Sequence, residues 1–138
     1  MISSGLVTVF VTDMDKAVRF YSEVLGLRLA YRFGNEWASI VAEGGLTIGL
    51  HPASDLFPAG RKGSITIGLN VSRPIEEVTA SLKNKGVVFK GEVVDDEALK
   101  VQYFEDPDGN ELYLAELKAE YKEYPQEAAE ARSTQSSQ

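Results

Sequence analysis

The sequence predicts an α+β fold made of two tandem βαβββ modules, and three observations carry that reading. Laid on itself at an offset of 60 residues, the chain places Val11-Thr12-Asp13-Met14 on Val71-Ser72-Arg73-Pro74, Val18 on Val78, and Gly26-Leu27 on Gly86-Val87 without a gap. A period that long indicates duplication of one supersecondary unit rather than a solenoid. Each half contains one stretch with helical spacing and four with the two-residue alternation of strands. The 138 residues suit one domain, or two half-domains sharing a core, since an independent core needs about 50 residues or more.

Residues 5 to 11 alternate as the first strand, with Val7, Val9 and Val11 on one face and Leu6, Thr8 and Phe10 on the other. Thr12 and Asp15 have the spacing of a capping box, and Met14, Val18, Tyr21 and Leu25 follow at helical intervals. Gly26 stops the helix. Strands at about 27 to 33, 36 to 42 and 45 to 51 complete the module, turned by Gly34-Asn35 and Gly44-Gly45. The second half repeats the order. A strand at 64 to 71 leads to a helix from Pro74 with Ile75, Val78 and Leu82 inward and Gly86 at its end, then to strands at about 87 to 94, 98 to 105 and 111 to 117. The modules are thus 1–51 and 64–117, joined by a Pro- and Gly-rich linker, 52–63, that carries Phe57, Arg61 and Lys62. Residues 118–138 read as a polar, partly disordered extension. One helix covers one face of each sheet, so the other face must be covered or used.

Composition removes several chemistries. No cysteine means no disulfide, thiolate metal site or cysteine nucleophile. A net charge of −7 with scattered Lys and Arg argues against nucleic acid, which needs a clustered basic face. No apolar run approaches the roughly 20 residues that cross a bilayer, and the N-terminus lacks the marks of a signal peptide, so a cytoplasmic location is expected. Neither "GLTIG" nor "GRKGS" has the spacing or context of a phosphate loop, and the single histidine has no elbow-like serine near it.

The repeat, "VTDMDKAVRFYSEVLGL" after the first strand and "YFEDPDGNELYLAE" (103–116) together resemble the vicinal-oxygen-chelate superfamily, which includes glyoxalases, extradiol dioxygenases and bleomycin-resistance proteins. The resemblance covers roughly 5 to 117. It implies that the two modules form a curved, partly open, eight-stranded barrel-like cleft, often completed in a homodimer, and a homodimer is expected here. It also implies four inward positions that hold a metal ion in the family's enzymes, and these fall on Leu6, Gly49, Thr66 and Tyr113. None is an imidazole or carboxylate. Shifting a strand by one residue turns the other face inward and recovers no ligand. Shifting by two brings in only His51 and Glu111.

The remaining inward residues by alternation are Thr8, Phe10, Gly68 and Asn70, and the resemblance to the bleomycin-resistance branch implies Trp37 as a stacking platform at the mouth. Glycines at 49 and 68 leave space for a small molecule. Each candidate also has an ordinary reading: His51 as a polar strand end beside Pro52, Glu111 as a solvent-facing strand start, Tyr113 as a cleft filler and Trp37 as strand packing. The expected function is metal-independent binding of a small organic molecule, antibiotic-like in character, by Thr8, Phe10, Trp37, Gly49, His51, Thr66, Asn70, Glu111 and Tyr113, with no cofactor. One alternative is a lyase, isomerase or dioxygenase holding one divalent metal ion through an atypical ligand set with His51 and Glu111. Another is a cofactor-free acid–base enzyme in which one of those two moves a proton.

Overall fold

In the computed structural model of the chain, residues 1, 4–60 and 65–119 are described. Arg61, Lys62 and residues 120–138 of the C-terminal extension lie outside them. The first module runs β1 (Val7–Val11), α1 (Met14–Arg19), β2 (Arg28–Phe33), β3 (Trp37–Val41) and β4 (Thr47–Pro52). The second runs β5 (Ile67–Asn70), α2 (Ile75–Asn84), β6 (Phe89–Asp95), β7 (Leu99–Glu105) and β8 (Glu111–Leu117). Each module forms its own four-stranded sheet, in the orders β1-β4-β3-β2 and β5-β8-β7-β6. The first strand of each module pairs in parallel with the last, Val9 opposite Leu50 and Leu69 opposite Leu114, and the other pairs are antiparallel. The architecture is therefore α+β with two βαβββ units whose sheets are not joined into a closed barrel.

The helix-facing sides of both sheets contribute to one continuous core. Ile40, Ile48 and Leu50 of the first sheet and Phe104 and Leu112 of the second are almost wholly buried in it. Each such side chain contributes about 1.5 to 3 kcal/mol relative to exposure. Phe20 links the halves, with its ring 5.4 Å from Tyr21 and 6.5 Å from Phe104, which in turn lies 5.4 Å from Phe89.

Three local expectations are corrected. The capping box does not form: Asp13 caps α1, its carboxylate accepting from the Lys16 N–H at 3.0 Å, because the Thr12 hydroxyl is engaged by Asp108. The first helix continues as a π-helical stretch over Phe20–Val24, closed by the Leu25 N–H on the Phe20 carbonyl at 2.9 Å, and Phe20 joins Tyr21 in the core. The first strand of each module is shorter than alternation suggested. Their ladders begin at Val7 opposite Ile48 and Ile67 opposite Leu112, which leaves Leu6 and Thr66 as exposed residues ahead of the strands.

Candidate functional site

The face of the first sheet turned away from α1 carries a row of four rings. Phe10 on β1 and His51 on β4 are direct ladder partners, their rings edge to face at 5.8 Å and 71°. Beyond His51 stands Trp37 of β3, at 6.3 Å and 73°. On the other side Phe57 of the linker lies flat on Phe10, with centroids 4.9 Å apart and planes 11° from parallel. Such geometries add to the area the rings bury. The Trp37 indole N–H donates to the Ser39 hydroxyl at 2.8 Å, so the tryptophan's one polar atom is satisfied. The His51 Nδ1 lies 2.9 Å from the Pro52 carbonyl, and since a carbonyl only accepts, Nδ1 carries the proton.

The glycine positions are not hollow. A Cβ built on Gly49 would lie 2.1 Å from the Trp37 ring, and one on Gly68 would lie 2.4 Å from the Tyr113 ring. Both glycines exist to let an aromatic ring lie across the sheet. The expected open space is a floor of rings instead, and this corrects the sequence reading.

The second sheet presents a different set. Tyr113 of β8 and Tyr103 of β7 are direct partners with ring centroids 5.6 Å apart. Lys90 of β6 pairs with Glu105 at 2.7 Å and reaches Glu111 at 3.8 Å. A cavity of about 270 Å³ is lined by Lys90, Tyr103, Phe104 and Glu111. No ring contact among the described residues joins this set to the row on the first sheet. Thr8 and Asn70 lie exposed on β1 and β5.

The four positions to which the resemblance assigns metal ligands carry side chains that are not usual ligands of a divalent ion. Leu6 and Gly49 have no donor, Thr66 offers a hydroxyl and Tyr113 a phenol. His51 and Glu111 stand on different sheets, and among the described residues no group of three or more His, Cys, Asp or Glu side chains gathers.

The residues that the sequence reading missed lie in the Asp106-Pro107-Asp108-Gly109-Asn110 turn between β7 and β8. Its backbone is a hairpin turn, with the Gly109 N–H on the Asp106 carbonyl at 3.0 Å. Its side chains reach the other module. Asp106, only 5% exposed, accepts from the Tyr21 hydroxyl at 3.0 Å, from the Asn110 amide side chain at 2.8 Å and from the backbone N–H groups of Asp108 and Asn110. Burial pushes the Asp106 carboxyl above the usual range, against the opposing pull of these donors. Burial and the neighbouring Asp106 charge likewise raise the Tyr21 hydroxyl well above its ordinary value. Asp108 accepts from the Thr12 N–H at 3.1 Å and from its hydroxyl. Asn110 donates to the Phe10 carbonyl at 3.2 Å and accepts from the Gly60 N–H at 3.1 Å. The sequence signal for this network is the Asp106-Pro107-Asp108-Gly109-Asn110 stretch, which turn chemistry alone reads as a hairpin.

Comparison with known proteins agrees with the architecture. The family model described as Glyoxalase/Bleomycin resistance protein/Dioxygenase superfamily matches residues 4–114. The fold is similar to that of TnmS3, an antibiotic binding protein from Streptomyces sp. CB03234, with 26% identity, a TM-score of 0.71, and coverage of 86% of this chain and 99% of that one. A superfamily member from Sphaerobacter thermophilus DSM 20745 shares 26% identity over 84% of this chain and 99% of its own, with a TM-score of 0.67. A glyoxalase/bleomycin resistance protein from Streptomyces sp. CB03234 shares 26% over 81% and 98%, with a TM-score of 0.64. No curated protein matches. No helix among the described residues is long and apolar enough to cross a membrane. With two βαβββ units, the turn motif and a family match spanning both modules, the chain belongs to the glyoxalase/bleomycin resistance protein/dioxygenase superfamily.

Proposed function

We propose that this chain binds a flat, antibiotic-like organic molecule by stacking it on the ring row of the first sheet, and that it does so without a metal ion and without turnover. The observation that carries the reading is the row Phe57, Phe10, His51 and Trp37, with the Trp37 ring over Gly49, a position to which the resemblance assigns a metal ligand. A row of aromatic rings with an exposed imidazole, and the hydroxyls of Thr8, Tyr31 and Ser39 on the same face, offers ring contacts and few directional bonds. That is the chemistry of sequestration. Similarity to an antibiotic binding protein at 26% identity supports the same class of ligand. The reading includes a homodimer, in which a second copy packs on the exposed Tyr31 and Phe33 beside the ring row and leaves the row itself to the ligand.

The test is a thermal-shift screen of planar antibiotics, bleomycin among them, run beside zinc, manganese, nickel and iron(II) salts. A ligand selective for the folded state raises the melting temperature by mass action. The expected result is a concentration-dependent rise with one or more planar compounds, lost in Trp37→Ala, and none with the metals. Protein purified without chelator and found to hold one tightly bound divalent ion per chain overturns the proposal.

A further inference from the structure

We propose that the turn between β7 and β8 positions the ligand wall on the opposite module, with Asn110 as the positioning residue and Phe57 as the side chain it places. The idea rests on the reading of the ring row as a binding surface, and it explains why a hairpin turn spends its side chains on distant partners. Asn110 grips two backbone points 50 residues apart: its amide nitrogen donates to the carbonyl of Phe10 and its amide oxygen accepts from the N–H of Gly60. Those points flank the stacked pair. Phe10 is itself one of the rings, and Gly60 follows the other, Phe57, by three residues in the linker.

The linker is held on both sides of Phe57. Where it leaves β4, the Ala53 N–H donates to the Val11 carbonyl at 2.8 Å, and beyond Phe57 the Gly60 N–H donates to Asn110. Between the two, Ser54 and Phe57 close a turn by mutual bonds of 3.0 and 3.1 Å, which presents the Phe57 ring to Phe10 while leaving the residue 50% exposed. Gly60 fits only as glycine. Its φ is +69°, and a Cβ there would lie 2.1 Å from the Asp108 carbonyl oxygen. The position of Asn110 is in turn fixed by Asp106, which accepts from both its side-chain and its backbone N–H. Asparagine is required because both a donor and an acceptor are used; aspartate would lose the donor and set a second carboxylate against Asp106.

The experiment has a ligand-free arm and a dye arm. In the first, Phe57→Trp combined with Trp37→Phe leaves the sole indole on the linker, and acrylamide quenching of its fluorescence reports whether the linker stays docked. Adding Asn110→Ala or Gly60→Ala should raise the quenching constant about twofold or more with the far-ultraviolet circular dichroism unchanged; an unaltered constant in both overturns the proposal. In the second arm, proflavine, a planar dye, is titrated into four proteins: the parent chain, Asn110→Ala, Phe57→Ala and the double variant. Asn110→Ala should weaken binding roughly tenfold in the parent and less than about twofold once Phe57 is gone, because the two substitutions remove one effect. Equal losses in both backgrounds would reduce Asn110 to a structural residue and overturn the proposal. If Asn110→Ala does not fold, Gly60→Ala completes the same cycle. A parent chain that binds neither proflavine nor any planar antibiotic counts against the proposed function, while the quenching arm still decides the positioning claim.

Discussion

At the scale of single residues, the site is governed by what glycine omits. Gly49 is a buried strand residue, and the six-membered ring of Trp37 occupies the space its missing side chain would take. Adding one methyl group puts a carbon 2.1 Å from Cη2, far inside contact distance, and the methyl is fixed to the backbone. The ring must move. Gly49→Ala is therefore expected to cost about 1 to 3 kcal/mol, as overpacking does, and to shift the emission of the single tryptophan to longer wavelength as the indole swings into water. Denaturant unfolding followed by Trp37 fluorescence checks both at once; an unchanged emission maximum would mean that the ring does not depend on the missing side chain. The residue types here were legible in the sequence, since Trp37, Gly49 and His51 alternate onto one face. The relation between them was not. Alternation assigns a side chain to a face but cannot say that a ring from the neighbouring strand will fill the space a glycine leaves.

At the scale of elements, the β7–β8 turn and the end of the first helix act as one unit through Tyr21 and Asp106. Tyr21 belongs to the π-helical stretch, and its hydroxyl donates to a carboxylate 85 residues away. Tyr21→Phe removes that donor from a buried, charged acceptor and is expected to cost about 1.5 to 3 kcal/mol at neutral pH. The sign of the pH dependence follows from the direction of the Asp106 shift. Its carboxyl is raised above the ordinary value of 3.8 by burial, so the folded chain holds the proton more firmly than the unfolded one. The contribution of Asp106 to stability is then complete below 3.8 and lost as pH rises through the higher folded-state value. Because the Tyr21 hydrogen bond pulls the other way, Tyr21→Phe should move the Asp106 midpoint higher still. Carboxyl carbon NMR titration reads it directly, and a midpoint at or below 3.8 in the parent chain would refute the account. The strands and both helices were legible because their periods are local. The capping of α1 was not, since Thr12 is drawn off by Asp108, 96 residues along the chain.

At the scale of the whole molecule, the duplication was legible in the 60-residue offset, and it decides how much surface one chain leaves open. Each helix covers one face of its own sheet, and the two sheets do not close on each other. On the uncovered face of the first sheet, Tyr31 and Phe33 of β2 are ladder partners of Ser39 and Trp37 and remain 57% and 61% exposed. On the second, Tyr103 is also exposed. Aromatic surface left in water on two faces favours association, and a twofold axis lets identical copies cover the same patch on each other with no unsatisfied end. The expected solution species is thus a dimer, with a light-scattering mass twice the 15.1 kDa of the chain. Phe33→Glu tests the face itself. Phe33 is not in the buried core, so a charge there should leave the fold intact while placing a carboxylate where the partner would sit. The variant should run as a monomer at concentrations where the parent is dimeric, and its melting temperature should lose the dependence on protein concentration that a dimer shows. A parent chain that scatters as a monomer at high concentration would mean that these rings face a ligand or water instead of a second copy.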